Sequence, residues 1–336
     1  MIREAIAAVV AGKDLTEAEA ASVMEELMSE QATPSQAAAL LIGLRMKGET
    51  VDEIAGMVRV MREKALRVDA GDVLDVVSTG GAPFDPFNIS TAAAIVCAGA
   101  GVRVAKHGNR GFTSAAGAAD VLEALGARLE LTPDQLKTCI EQTGFGFLFA
   151  PALHPAMRFV GPTRREIGVR TVFNSLGPLT NPAGARYQLI GVGEPALAGK
   201  VAEVLSRLGT GRVLVVHGED GLDEVSLSGP TTVREVQGAS VRQYTLTPED
   251  AGLPRTPLLA VKTGTKEENA ARLRAVLAGS PGPDRDYVLI NAGAGLVAAG
   301  RAAGVREGVA LAAEAIDSGA AAGVLDAYVE ATRSFA

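Results

Sequence analysis

The sequence predicts an α/β protein in which a small all-helical N-terminal domain precedes a large α/β domain with a mainly parallel central sheet covered by helices. Helix-start signals dominate the chain up to about residue 68, whereas β-like runs alternate with helical stretches beyond about residue 72. The 336 residues also exceed the roughly 250–300 residues at which single cores stop growing. We therefore expect a helical domain over residues 1–68, joined by helices from about 160–183, and an α/β domain over residues 69–336.

The N-terminal part contains clear helix boundaries. Thr16–Glu19 and Thr50–Glu53 are capping-box patterns, in which a hydroxyl and a carboxylate satisfy free N–H groups of a first helical turn. Thr33-Pro34 starts another helix, because proline at the first helical position needs no hydrogen-bond donor, and Gly48 ends that helix. The pattern predicts four short helices.

The remainder alternates between two kinds of segment. The predicted strands are Val73–Ser78, Val102–Lys106, Tyr187–Val192 and Arg212–His217. The predicted helices are Thr91–Ala98, Ala118–Leu125, Pro133–Thr143 and Ala196–Leu208. Strands separated by helices of this length indicate a mainly parallel sheet with both faces covered. The tail from Glu267 is mostly helical, and within it Asp286–Ile290 fits either a strand or the start of a helix.

Composition excludes several classes of protein. Hydrophobic residues make up 47% and charged residues 21%, with no apolar run long enough to predict a membrane span and no secretory signal pattern, so we expect a soluble cytoplasmic protein. The net charge of -7 argues against a broad nucleic-acid footprint. Cys97 and Cys139 lack the paired spacing of a metal site or disulfide framework, and we expect both as small core hydrophobes.

Polar residues and glycines collect directly after the first two predicted strands. Thr79-Gly-Gly81 follows the first strand, and Asn88–Thr91 caps the next helix. Lys106–Arg110 ends the second strand and forms the loop after it, and Thr113-Ser114 precedes another helix. Ligands of open α/β sheets bind at the carboxyl ends of strands, where helix N-termini, lysine, arginine and amide groups hold phosphates. The first candidate site is therefore one for a phosphate-rich anion.

Two further elements suggest what else the site holds. Asp223 and Glu224 would fit a solvated acidic loop in isolation, but opposite a phosphate cradle we assign them to Mg²⁺, whose other ligands are waters and substrate phosphates. Arg164 and Arg170 bracket a segment that ends in rigid Gly-Pro and Asn-Pro turns, which indicates a fixed second wall. A guanidinium binds a carboxylate through two parallel hydrogen bonds, so an acidic co-substrate would fit there.

Seven strings, in order and over nearly the whole chain, resemble the anthranilate phosphoribosyltransferase family. They are Asn88–Thr91, Lys106–Arg110, Ala119–Gly126, Gly144–Ala150, Arg170–Asn174, Leu176–Pro182 and Asp223–Glu224. The resemblance implies the fold of the pyrimidine nucleoside phosphorylases, in which a small helical domain is hinged to a large α/β domain, and a homodimer formed through the helical parts. It also implies that anthranilate attacks carbon 1 of phosphoribosyl pyrophosphate and releases pyrophosphate, in the second step of tryptophan synthesis.

The resemblance further implies a role for each matching residue. Phosphoribosyl pyrophosphate would be bound by Ser78, Gly80, Gly81, Asn88, Ser90, Thr91, Lys106, His107, Gly108, Asn109, Arg110, Thr113 and Ser114. Anthranilate would be bound by Ser78, His107, Asn109 and Arg164, with Arg164 on its carboxylate, and Mg²⁺ by Ser90, Asp223 and Glu224. Lys106 would act electrostatically on the leaving group. No nucleophile or general base is implied, because the amine of anthranilate is already unprotonated at neutral pH.

The glycine-rich loop departs from the family pattern. The family usually reads Gly-Thr-Gly-Gly-Asp-Gly, whereas this chain reads Ser78-Thr-Gly-Gly-Ala82-Pro83. Pro86 stands in place of a common threonine, and Ala118 in place of a typical serine. These changes remove a negative charge, hydroxyl groups and loop freedom, and would permit weaker or altered handling of phosphoribosyl pyrophosphate.

Two other functions stay open at this point. A phosphoribosyltransferase or phosphorylase of the same fold with another aromatic acceptor would be compatible with the altered loop, although Arg164 favours the acidic acceptor. A non-catalytic relative that binds nucleic acid is opposed by the Asp223-Glu224 pair and by the acidic charge balance.

Overall fold

The computed structural model describes residues 1–111 and 115–335. The described residues before the sheet form a helical bundle, α1 (Ile2–Val10), α2 (Glu17–Leu27), α3 (Pro34–Lys47) and α4 (Val51–Lys64). Thr16, Thr33 and Thr50 cap the last three of these helices. Each hydroxyl accepts the backbone N–H three residues later, and the side chain at that position returns a bond to the cap. The predicted helices and their starts are confirmed.

A seven-stranded sheet forms the centre of the rest of the chain. Its strands are β1 (Leu74–Ser78), β2 (Val104–Gly108), β3 (Phe145–Phe149), β4 (Tyr187–Gly191), β5 (Arg212–Gly218), β6 (Thr231–Gln237) and β7 (Ser240–Leu246), in the order β3-β2-β1-β4-β5-β6-β7. The first five pair in parallel, and β6 and β7 add an antiparallel hairpin. The mainly parallel sheet is confirmed, but β3, β6 and β7 were not among the predicted strands.

Helices connect and cover the strands. They are α5 (Ile89–Gly99), α6 (Ala118–Ala124), α7 (Pro133–Thr143), α8 (Ala150–Leu153), α9 (Gly161–Ile167), α10 (Val172–Leu176), α11 (Pro195–Arg207), α12 (Pro248–Ala251), α13 (Lys266–Leu277), α14 (Pro283–Ala298), α15 (Val305–Asp317) and α16 (Ala320–Ser334). The ambiguous segment Asp286–Ile290 lies inside α14 and is therefore helical.

One strand boundary differs from the prediction in a way that matters for the site. The predicted strand Val102–Lys106 lies two residues further along the chain, because His107 and Gly108 pair with Leu148 and Phe149 of β3. These two residues are therefore part of the sheet, and the loop itself begins at Asn109.

Two hydrophobic cores lie on the two faces of the sheet. Helices α5 and α14 contribute to the core on one face, together with Leu74 and Val76 of β1. On the other face α11 and the helical bundle share a core with strand residues such as Val213 and Val215. Val160, Val172, Phe173, Leu176 and Leu179 belong to this second core, so residues 160–179 pack with the bundle.

Among the described residues, no single helix is long and apolar enough to cross a membrane, and only the bent pair α15 and α16 satisfies the requirement by length and composition.

Candidate functional site

A cavity of about 600 Å³ opens at the carboxyl ends of the parallel strands. The predicted site residues that line it are Ser78, Gly80, Gly81, Asn88, Ser90, Thr91, Lys106, His107, Gly108, Asn109, Arg110, Asp223 and Glu224. Thr113 and Ser114 lie outside the described residues. These residues come from three separate stretches of the sequence, and the parallel topology brings their strand ends to one edge of the sheet.

The glycine-rich loop after β1 is held against a guanidinium. Gly80 and Gly81 have φ of 66° and 86°, a backbone conformation that costs free energy for any residue with a Cβ atom. Arg170 donates from Nη2 to the Thr79 carbonyl at 3.0 Å and covers Gly81 so closely that a Cβ there would lie 2.5 Å from its Cζ. Arg170 also lines the cavity, which agrees with the second wall expected from the sequence.

The part of this loop that departs from the family pattern is anchored to its neighbours. Pro83 packs on Gly221, where a Cβ would lie 3.0 Å from the proline ring. The carboxylate of Asp85 accepts the Ala115 N–H at 3.1 Å, and its backbone carbonyl accepts the Thr263 N–H at 2.9 Å. These contacts connect the glycine-rich loop to the loop after β2, to the segment before Asp223 and Glu224, and to the segment around Thr263.

The helix after the loop begins differently from the prediction. Asn88 occupies the cap position of α5, but its side chain makes no capping hydrogen bond. Instead its amide donates to the Ala116 carbonyl at 3.0 Å, and its oxygen accepts from Asn269 at 3.0 Å. Ser90 and Thr91 lie in the first turn of α5, whose N–H groups are therefore not blocked by the cap side chain.

Lys106 lies buried at the floor of the cavity. Its Nζ donates to the Val76 carbonyl and, at 3.2 Å, to the Ser90 hydroxyl. Burial lowers the pKa of Lys106, whereas the carboxyl groups of Asp75 and Glu224 act in the opposite direction. The sheet thus holds this ammonium group away from water, where its field is screened little, beside the carboxyl groups of Asp75 and Glu224.

Asp223 and Glu224 are buried beside this lysine. Burial raises the pKa of both carboxyl groups, and for Glu224 the neighbouring Asp223 adds to the rise. Hydrogen bonds from the Ser78 hydroxyl and the Gly80 N–H oppose the rise at Asp223. Within the described parts of the chain, no three His, Cys, Asp or Glu side chains group together as a metal site. A cation bound by this pair would therefore need oxygen ligands from water or substrate.

Two histidines form a neutral pair at one side of the cavity. The ring centroids of His107 and His154 are 5.1 Å apart. Burial lowers the pKa of His107 to about 3 and that of His154 to about 4, so both rings are uncharged at neutral pH. His107 Nδ1 lies 3.0 Å from the Gly177 carbonyl, and its buried Nε2 has no hydrogen-bond partner among the residues described. His154 is one of only three histidines in the chain, but it belongs to none of the motifs that predicted the site.

The two remaining arginines of the predicted site, Arg164 and Arg110, are less clearly available to a ligand in the cavity. Arg164 lies on α9 with its guanidinium 4.9 Å from the centroid of the Phe173 ring, and burial lowers its pKa to about 10. It is not among the residues that line the cavity, whereas Asn174 on the adjoining α10 is. Arg110 lines the cavity but is ion-paired with Asp120 and Glu123. A phosphate would therefore compete with two carboxylates for this guanidinium.

Comparison with known proteins supplies independent information on this arrangement. The model of the glycosyl transferase family, a/b domain, matches residues 70–322, and that of the helical bundle domain of the same family matches residues 3–65. The anthranilate phosphoribosyltransferase of Symbiobacterium thermophilum is 56% identical over 326 residues, which is 96% of each chain. That of Chloroflexus aurantiacus is 56% identical over 335 residues, 99% of each chain.

The chain belongs to the anthranilate phosphoribosyltransferase family. The resemblance inferred from seven sequence strings is thereby confirmed. The crystal structure of the family member from Thermus thermophilus superposes with a TM-score of 0.92 at 51% identity, covering 98% of this chain and 99% of the other. The Saccharomyces cerevisiae enzyme was solved in complex with PRPP (phosphoribosyl pyrophosphate) and Mg. It superposes with a TM-score of 0.91 at 27% identity, covering 99% of this chain and 98% of the other. Both the helical part and the sheet of this chain are thus shared with family members.

Proposed function

We propose that the protein transfers the 5-phosphoribosyl group of phosphoribosyl pyrophosphate to the amine of anthranilate, with release of pyrophosphate, as a pentosyltransferase of tryptophan biosynthesis. The observation that carries this proposal is the convergence of the two strand-end loops and the acidic pair on one cavity, in a chain 56% identical to named anthranilate phosphoribosyltransferases. Structures of the yeast relative in complex with PRPP and Mg and with 4-fluoroanthranilate support the choice of ligands.

Phosphoribosyl pyrophosphate would lie along the two loops. The positive N-terminal end of α5 and the backbone at Gly81 suit its phosphate oxygens, whereas the N–H groups of Ser90 and Gly80 already contact the carboxyl groups of Glu224 and Asp223. Lys106 would approach the pyrophosphate from the floor of the cavity. Breaking the bond from carbon 1 to pyrophosphate leaves negative charge on the leaving group, which a poorly screened ammonium stabilises strongly. The remaining residues of the predicted set, including Thr113 and Ser114, are proposed on the resemblance alone.

The donor set fits Mg²⁺. Asp223, Glu224 and Ser90 supply hard oxygen atoms, and Mg²⁺ is usually bound by one or two carboxylates together with waters and substrate phosphates. When bound, the ion would neutralise charge on the pyrophosphate oxygens. The raised pKa values of the two buried carboxyl groups also fit a site that gains a cation on binding.

Anthranilate would enter at the side of the cavity formed by His107, Asn109 and Ser78. The orientation of its carboxylate toward Arg164, which lies outside the cavity lining, is proposed on the resemblance alone. The uncharged His107 borders the cavity and packs beside His154, and its buried Nε2 has no hydrogen-bond partner among the described residues. The chain does not need to supply a general base, because the aromatic amine is unprotonated at neutral pH. The role of these residues would be to position the amine against carbon 1, which is a large source of rate enhancement in two-substrate reactions.

We also propose the organisation expected from the sequence: a division at residues 68 and 69, a cytoplasmic location, and a homodimer formed through the helical bundle. Val10 at the end of α1 is 73% exposed and Met46 near the end of α3 is 83% exposed. These two side chains lie on helices that pack together, and we propose that they lie in the contact between the two copies. Sedimentation equilibrium of Met46→Asp against the native chain tests the dimer, and cell fractionation tests the location.

A fluorescence assay of anthranilate consumption tests the main proposal. We expect consumption only when phosphoribosyl pyrophosphate and Mg²⁺ are both present, with one pyrophosphate released for each anthranilate consumed. Release of pyrophosphate without consumption of anthranilate, or consumption of a different aromatic amine in its place, would contradict the proposed acceptor.

A further inference from the structure

A second, larger cavity lies at the opposite edge of the sheet. It measures about 830 Å³ and is formed where β4 and β5 begin and where β6 ends. Its charged lining side chains are Arg62, Arg186, Arg212 and Asp72. We call it the basic cleft. None of its lining residues belongs to the candidate active site.

Arg62 is the unusual member of this group. Burial lowers the pKa of its guanidinium, and no acidic group acts on it in the opposite direction. Among the described residues its one hydrogen bond runs from Nε to the Leu179 carbonyl at 2.7 Å, and no carboxylate forms an ion pair with it. Arg62 is half-buried, so its charge is partly withdrawn from water without a paired carboxylate among the described residues, which is costly, and buried charges in proteins are ordinarily paired.

The other charges of the cleft do not compensate Arg62. Arg186 pairs with Asp72 at 3.1 Å. Arg212 pairs with Glu235 at 2.7 Å, but Glu235 also pairs with Arg242 at 2.7 Å, so one carboxylate serves two guanidinium groups. The cleft and its immediate border thus carry a net positive charge that the described residues leave unbalanced.

Backbone carbonyl groups at the cleft are partly paired with donors of the chain itself. Helices α11 and α14 end there, and helix C-termini carry partial negative charge. Two carbonyl groups of these helix ends are already bonded, since Thr210 donates to the Leu205 carbonyl, and Gly300 and, at 2.7 Å, Arg212 donate to the Val297 carbonyl. The full charges available to a ligand in the cleft are those of the arginine side chains.

We propose that the basic cleft binds a doubly charged tetrahedral oxyanion, either free phosphate or the phosphate group of a monoester, with Arg62 as its principal ligand. Planar guanidinium groups bind such anions through parallel hydrogen bonds. Arg62 belongs to α4 of the helical bundle, whereas Arg186 and Arg212 belong to the sheet. A bound anion would bridge these two parts of the chain and stabilise their contact.

The test uses inorganic phosphate and three variants of the full-length protein. Arg62→Met removes the half-buried charge and keeps a long side chain, and Arg186→Gln changes a side chain that is 58% exposed, so we expect this variant to fold. Arg59→Met is the matched control, because it lies on the same helix with 49% exposure and pairs with Glu17 and Glu63 outside the cleft. Phosphate sites are counted by equilibrium dialysis, and the thermal midpoint is measured with and without phosphate.

We expect the native chain and Arg59→Met to bind one more phosphate per chain than Arg62→Met, and to show a thermal midpoint that rises with phosphate. Arg186→Gln should bind this phosphate roughly tenfold more weakly, as loss of one charge-assisted contact predicts. Turnover of anthranilate should be unchanged in all three variants. If Arg62→Met does not fold, the result with Arg186→Gln decides.

Equal numbers of phosphate sites in Arg62→Met and Arg59→Met would overturn the proposal. So would a lost phosphate that is accompanied by lost turnover, because the ion would then belong to the candidate active site. Methyl phosphate distinguishes the two sources of the ligand: binding of both anions indicates a monoester site, binding of phosphate alone indicates a site for the free ion, and binding of neither refutes both.

Discussion

Gly81→Ala tests whether the contact between the glycine-rich loop and Arg170 shapes the phosphoribosyl pyrophosphate site. A Cβ at this position would lie 2.5 Å from the Arg170 Cζ, and the φ of +86° is one that side chains rarely adopt. The alanine would therefore strain the backbone and also push the guanidinium away from the Thr79 carbonyl that it holds at 3.0 Å.

Two energies set the expected size of the effect. A residue with a Cβ in the left-handed region costs about 1–2 kcal/mol, which lowers the free energy of unfolding. A hydrogen bond to a charged group contributes about 1.5–3 kcal/mol, and each 1.4 kcal/mol corresponds to a factor of about ten in binding. We therefore expect KM for phosphoribosyl pyrophosphate to rise roughly ten- to a hundredfold, with KM for anthranilate nearly unchanged.

Gly48→Ala is the matched control for Gly81→Ala. Gly48 also has a φ of +86°, but a Cβ there meets no atom within 4 Å, so this variant carries the backbone strain alone. Urea unfolding should show a loss of stability in both variants that is larger in Gly81→Ala, and steady-state kinetics should show the rise in KM only for Gly81→Ala. An unchanged KM in Gly81→Ala, or an equal rise in Gly48→Ala, would refute the reasoning.

Three further predictions concern the metal ligands, the arginine proposed for the acceptor, and the buried carboxyl group of Asp75. Replacing Asp223 and Glu224 together by Ala should abolish Mg²⁺-dependent turnover, and a Mg²⁺ titration with an unaltered midpoint would contradict their assignment. Arg164→Ala should raise KM for anthranilate by on the order of tenfold or more, and equal effects on both substrates would count against its role. Burial raises the pKa of Asp75 from 3.8 to about 6, so the folded chain favours the protonated carboxyl group. The stabilisation from this group is fully present below pH 3.8 and is lost as the pH rises through 6. The difference in unfolding free energy between the native chain and Asp75→Asn should therefore fall over this range, and urea unfolding at several pH values that shows a constant difference would disprove the assignment.

Much of the fold could be predicted because local signals and the tertiary structure agree. The three threonine caps of the helical bundle and the helix Pro133–Thr143 lie where the sequence places them. The hairpin of β6 and β7 was missed, since its outer strand is largely exposed and carries polar residues in place of the apolar run of a buried strand. The two-residue turn at Gly238, with φ of 57°, was the available signal.

The candidate site was predictable to the extent that it depends on strand ends. Parallel topology gathers the ends of β1 and β2 at one edge, and most of the predicted residues line one cavity for that reason. Contacts made by side chains from distant segments were not predictable. The pairing of His107 with His154, and of Arg110 with Glu123, depends on packing that no local pattern encodes.

The anchoring of residues 82–86 affects how a ligand is captured. Pro83 and Pro86 restrict the backbone of the unliganded loop, and the contacts of Pro83 with Gly221 and of Asp85 with Ala115 hold it near one arrangement. A loop that is already ordered loses less conformational entropy when it closes on a ligand. Replacing both prolines by the more flexible residues common in the family should therefore make association entropically less favourable, even where every contact with the ligand is kept.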